Sequence, residues 1–117
     1  MGGNKLSATD LIVYKKAEET LDKVYPRLKH YPKSEKFSLC HYIKINFFEL
    51  LKFISLGNSV KSKRKTYLQE ADGHLQVLKV LMKLSKQRKY ISTGFFKEVD
   101  LDLTEINKML SGYIRSS

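Results

Sequence analysis

Along four stretches of this chain, apolar residues recur at alternating steps of three and four. That spacing lines them up on one side of an α-helix, and no stretch shows the period of two that a half-buried strand needs. The fold is thereby confined to a packing of helices. Tyr14, Ala17, Leu21, Val24 and Leu28 predict a first helix over about 9–30, where Ser7 and, three residues on, Asp10 resemble a capping box. Pro26 falls inside this pattern, where it removes a backbone donor and crowds the preceding turn. It predicts either a kink or an end at Tyr25.

Cys40, Ile43, Phe47, Leu50 and Ile54 predict a second helix over about 34–57, begun after Pro32 with Ser34 as cap and ended by Gly57-Asn58. Ala71, Leu75, Leu78, Met82 and Ser85 mark a third over 63–89. Phe96, Val99, Leu103, Ile106, Leu110 and Tyr113 mark a fourth over 93–115, opening near Ser92 or Thr93. Each rod spans roughly 30–39 Å at 1.5 Å per residue, and connections this short make consecutive helices antiparallel. The expected fold class is all-α, an antiparallel up-down-up-down four-helix bundle. Its 117 residues suit one domain, 1–117.

The 42% of apolar residues can supply a core. The single cysteine, Cys40, cannot form an internal disulfide, and no secretory signal pattern is visible, so a cytoplasmic setting is expected. Apolar runs fall far short of the roughly 20 residues that cross a bilayer; no membrane partner is expected. The balance of 22 Lys+Arg against 12 Asp+Glu leaves +10 and points to a polyanionic partner, nucleic acid first. The charge is uneven. Nine basic residues between Val60 and Lys89 face only Glu70 and Asp72, whereas the chain from Ile91 on is nearly neutral.

Two helices carry more apolar surface than one core stripe uses. On the third, Val77, Val80 and Leu84, with Gly73 a turn earlier, fall roughly opposite the stripe; on the second, Ile45, Phe53 and Leu56 do. A broad core stripe with scattered surface hydrophobes is one explanation. An oligomer interface is the other: soluble monomers seldom leave such a patch bare, and a mid-helix glycine costs about 1 kcal/mol against alanine unless something packs close to it.

Lys79, Lys83 and Lys86 repeat along the third helix, followed by Arg88 and Lys89. Either they are a solvated face whose last cations suit the helix dipole, or they contact phosphates. Lys61, Lys63, Arg64 and Lys65 stand at a helix start, where cations oppose the dipole by about 0.3–1 kcal/mol each; phosphate contact would account for them. Tyr67 and Tyr90 could stack on bases, but helix packing explains tyrosines equally well.

Catalytic patterns are missing. Cys40, His30, His41 and His74 form no Cys-x-x-Cys and no Glu-x-x-His, so no metal site is expected. There is no glycine-rich phosphate loop or nucleophile elbow, and no cofactor is expected. Glu98, Asp100, Asp102 and Glu105 make the start of the fourth helix acidic, which suits its dipole. The pattern is that of a binding protein without catalysis of its own.

Three segments carry a family resemblance: Pro32-Lys33-Ser34-Glu35-Lys36-Phe37, Glu70-Ala71-Asp72, and Met109-Leu110-Ser111-Gly112-Tyr113. They resemble the bacterial four-helix proteins that include those encoded in intervening sequences of large-subunit ribosomal RNA genes, over about residues 11–115. Within that family, Leu11-Ile12-Val13-Tyr14, Val24-Tyr25-Pro26 and Ala71-Asp72 with Leu75, Leu78 and Lys79 are similar to the accessory variability determinants of diversity-generating retroelements. The resemblance implies a basic, non-catalytic homopentameric barrel that binds the element's reverse transcriptase and its template RNA or cDNA in support of mutagenic reverse transcription. The family's basic third-helix positions fall on Lys79 and Lys83, lysines where those relatives carry arginine; charge attraction is kept, bidentate phosphate contact is not implied. Two alternatives stand beside it: a family member that meets ribosomal RNA, and a helical scaffold that binds a protein through the second apolar stripe.

Overall fold

The computed structural model describes residues 8–117, with side chains from Leu11 on. The capping box at Ser7 and Asp10 lies outside the described residues and side chains. Four α-helices, α1 (Ala8–Val24), α2 (Leu39–Ser59), α3 (Arg64–Gln87) and α4 (Thr93–Arg115), are joined by 3₁₀ turns at Tyr25–His30, Lys33–Glu35 and Lys61–Lys63. No strand occurs among the described residues. Each helix packs on its neighbours in sequence and α4 closes back onto α1, giving a bundle of 45 × 23 × 21 Å.

Pro26 acts at the end of α1. The α-helix stops at Val24, and the chain continues as the tighter 3₁₀ turn, with the proline at its start and Leu28 still buried. The buried row of α1 is Val13, Ala17, Thr20 and Val24, continued by Leu28 in the turn, while Tyr14 and Leu21 are half-buried. Thr20 enters the core at little cost because its hydroxyl donates to the Lys16 carbonyl at 2.7 Å.

The second helix starts later than its stripe predicts. Lys33–Glu35 forms a 3₁₀ turn instead, and Ser34 caps nothing by its side chain. Ser38 Oγ donates to Glu35 Oε1 at 2.7 Å, and Tyr90 Oη donates to Glu35 Oε2 at 2.9 Å, tying this connection to the one between α3 and α4. At the other end α2 runs through Gly57-Asn58 to Ser59. Neither residue adopts positive φ. Gly57 serves packing: a Cβ there would stand 2.8 Å from Leu68 Cδ2, with Leu68 itself fully buried. The glycine allows α2 and α3 to approach where they diverge from their turn.

The stripes of α2 and α3 form the centre, with Ile43, Phe47, Leu50 and Ile54 against Leu68, Ala71, Leu75, Leu78 and Met82, and Leu103, Ile106 and Leu110 closing from α4. Each large side chain so buried contributes about 1.5–3 kcal/mol relative to exposure. Ser92 caps α4 by accepting the Phe95 amide at 3.0 Å. Phe95 is the buried member of its pair and Phe96 lies half-exposed beside it.

Between α1 and α4 the seam is ionic. Asp102, 6% exposed, accepts Lys23 Nζ at 2.7 Å and Lys16 Nζ at 3.1 Å. Lys16 also reaches Glu105 at 3.0 Å and Lys23 reaches Glu98 at 3.0 Å. The order Lys16–Glu105, Lys23–Glu98 shows that the two helices are antiparallel. Burial works against the Asp102 carboxylate, but hydrogen bonds from Lys23 and Lys16 outweigh it and hold the carboxyl below its ordinary range. Contacts with Glu105 and Asp102 raise Lys16, and those with Asp102 and Glu98 raise Lys23. The acidic start of α4 thus has specific partners beyond the helix dipole.

Candidate nucleic-acid interface

The helical repeat puts Lys79, Lys83 and Lys86 on the flank of α3 that faces α4, around a shallow groove of about 390 Å³ shared with Val80, Phe96 and Asp100. Lys79 is partly committed: its Nζ donates to Thr104 Oγ1 at 2.9 Å and stands 3.9 Å from Asp100. Lys83 is exposed. Lys86 lies over the Phe96 ring, 4.8 Å from its centroid, with its stem along the groove wall.

The helix then ends in a way that presents the last cations. The Lys89 amide donates to the Lys86 carbonyl and that of Tyr90 to the Ser85 carbonyl, both at 2.9 Å, with Lys89 at φ 65°. This is the Schellman ending, whose left-handed position is usually a glycine because a side chain there costs roughly 1–2 kcal/mol. Here a lysine holds it. A second groove, of about 500 Å³, opens at the same end, where Arg27 and His30 from the turn after α1 join Lys86 and Lys89. Arg27 stacks over the Phe95 ring at 4.0 Å, which fixes its guanidinium beside α4. Nothing in the sequence singles out Arg27, because it lies in the pattern of the first helix and joins Lys86 and Lys89 only across the bundle end.

The two basic clusters do not meet. Residues 63 and 86 stand at opposite ends of α3, about 35 Å apart at 1.5 Å per residue, so Lys61, Lys63, Arg64 and Lys65 share no surface site with Lys83–Lys89 within one chain. The structure also supplies Arg64 with local work: its Nη1 donates to the Gly57 carbonyl and to Asn58 Oδ1, each at 3.2 Å, and its guanidinium faces the Tyr113 ring at 5.6 Å. The carbonyl end of α2, lying against the start of α3, welcomes a cation, a partner invisible when α3 is read alone. Lys63 and Lys65 are exposed at that end.

The second apolar stripe divides. Ile45, Val77 and Val80 are exposed, at 39%, 43% and 65%, and around Gly73 there is open space for a Cβ. Phe53, Leu84 and Leu56 are half-buried; Phe53 and Leu84 pack against the core. Phe53 stacks on His74 with centroids 5.7 Å apart, and His74 Nδ1 pairs with Asn46 Oδ1 at 2.8 Å. A helix contacting two neighbours buries a wide arc, so residues set opposite its central stripe by a single projection still reach a flank. Tyr67 sits near Phe53, and Tyr90 is held by Glu35 and the Tyr31 ring; neither offers a free face comparable to an exposed stacking platform.

Among the described residues, no three of His, Cys, Asp and Glu come together as metal ligands, and no helix is long and apolar enough to cross a membrane. Burial pushes the Cys40 thiol up, away from the reactive thiolate.

An antiparallel bundle with cationic grooves along one helix and around one end defines a class, the small basic four-helix proteins. Within it, the bAvd-like family matches residues 11–117, and the chain belongs to that family. No curated protein matches the chain. Among solved structures, it is similar to a protein of unknown function from the S23 ribosomal protein family of Bacteroides thetaiotaomicron, at 19% identity and a TM-score of 0.79, over 92% of this chain and 98% of that one. At that identity the likeness concerns the fold.

Proposed function

We propose that the chain is the non-catalytic accessory subunit of a diversity-generating retroelement, acting as a homopentamer that binds the reverse transcriptase and its template RNA or cDNA. The bAvd-like match over residues 11–117 carries this reading. The grooves support it: Lys83 and Lys86 on one flank of α3, and Lys89 just beyond its end, have no carboxylate partner among the described residues, and Lys89 keeps its place in a strained conformation. Lys79 contributes charge from a fixed position. Exposed Ile45, Val77 and Val80 with open Gly73 are the surface on which copies join.

The test is RNA binding by fluorescence anisotropy across a salt series. A single-stranded contact contributes about 0.7 to the log–log slope, so Lys79→Glu with Lys83→Glu flattens the slope by at least about 1.4 while circular dichroism stays helical. An unchanged affinity and slope would remove the α3 groove from the site. Light scattering checks the assembly separately, and a 13.6 kDa species at micromolar concentration would defeat it.

A further inference from the structure

A third cleft lies on the far side of the turn after α1. The α-helix ends at Val24, and the 3₁₀ turn that follows meets the start of α2, where Cys40 Sγ lies 3.7 Å from the Leu28 carbonyl oxygen; beside this contact the two segments border a cavity of about 320 Å³, within the range of small-ligand sites. Its floor is apolar and buried, formed by Leu28, Tyr31 and Cys40. Lys29, Lys33, Lys36 and Lys44 ring it, no carboxylate lines it, and none of the four forms an ion pair among the described residues. Lys33 and Lys36 precede α2 and Lys44 lies in its second turn. Four like charges around one cleft repel one another, and an anion in it would relieve that repulsion. One wall is aromatic: Tyr25 is half-exposed, with Lys44 Nζ 5.0 Å from its ring centroid.

We propose that this cleft binds one nucleotide unit, its base against the Tyr25 wall and apolar floor and its phosphate among the four lysines. The floor accepts a flat apolar body, the rim accepts a charge of about −2, and the cavity is too small for a helix or a folded peptide. The site uses none of the α3 lysines, so it stands or falls apart from the interface above. A free nucleotide and one nucleotide of a single strand present the same chemistry.

The test is a titration of isotope-labelled protein followed by amide shifts, with uridine monophosphate, uridine, inorganic phosphate, octanoate and hexauridylate as probes. Uridine monophosphate is expected to move the amides of residues 28–31, 33–36, 40 and 44, binding at least about tenfold more tightly than uridine or phosphate. Lys33→Glu with Lys44→Glu should weaken it by about tenfold or more, the 1.4 kcal/mol or greater that charge-assisted contacts carry. Tyr25→Ala should weaken the nucleotide and leave inorganic phosphate unaffected; both changes lie at solvent-accessible positions, and the amide spectrum reports whether the fold survives. Hexauridylate binding more tightly than the monophosphate assigns the site to a strand, and the reverse assigns it to free nucleotide. The proposal is overturned if phosphate alone matches the nucleotide, if octanoate binds better, or if the shifts vanish on Lys79→Glu with Lys83→Glu and persist on the cleft variant.

Discussion

Replacing Asp102 by asparagine tests how much the ionic seam between α1 and α4 holds. The substitution keeps the shape and removes the charge at the one buried member of the network. Two charge-assisted hydrogen bonds, at 2.7 and 3.1 Å, are weakened; such bonds to charged groups are worth about 1.5–3 kcal/mol each. Their loss is not complete, because Lys16 and Lys23 retain Glu105 and Glu98 and are partly open to solvent, which screens the interaction. A net loss of about 2 kcal/mol follows, or roughly 8–16 °C in Tm at about 4–8 °C per kcal/mol.

The pH dependence gives the sharper criterion. Asp102 has a folded pKa below its unfolded value of about 3.9, so its stabilisation is present above that value and is lost as pH falls through the folded one. Lys16 and Lys23 have raised folded values; their share is complete below about 10.4, the unfolded value, and is lost as pH rises through the folded ones. Urea unfolding of the wild type should thus weaken below about pH 4, and the asparagine variant should lose less over the same interval. If both lose equal stability between pH 5 and 2.5, or if the variant costs under about 0.5 kcal/mol at pH 7, Asp102 does not anchor this seam.

Gly57→Ala should destabilise the bundle by about 1–2 kcal/mol in chemical unfolding, since the overpacking cost against Leu68 exceeds the helix-propensity gain; a stabilised variant would show that α2 and α3 are looser there. Gly73→Ala, facing open space, should instead raise the unfolding free energy of the dissociated chain by about 0.5–1 kcal/mol, and Gly73→Trp should shift the light-scattering mass downward if copies join across this face. Lys89→Gly relieves the left-handed position and should gain about 1 kcal/mol in stability while weakening RNA binding; stability gained with binding unchanged would leave Lys89 no part in the interface. Arg64→Ala should cost about 1 kcal/mol of stability and alter RNA affinity less than Lys83→Glu does, as an anisotropy titration would show.

Helix number and order, the core stripes of α2 and α3 and the Ser92 start of α4 were legible in the sequence because each rests on spacing within one segment. A period of 3.6 is a local property, and a serine hydroxyl three residues from the amide it caps is a local contact. The cationic character was legible too, since charge survives any folding. Tertiary structure decided what each charge does. Arg64 is engaged because the end of α2 lies beside it; Lys79 is pinned because Thr104 on α4 faces it; Glu98, Asp102 and Glu105 meet lysines about eighty residues away. Gly57 read as a stop and proved to be a place of close approach, which only the position of Leu68 reveals. The lysine-ringed cleft lies between the turn after α1 and the start of α2, and its lining comes from both. Side-chain period records which way a residue faces its own axis, whereas partners, clefts and strain depend on distances between axes that no single segment encodes.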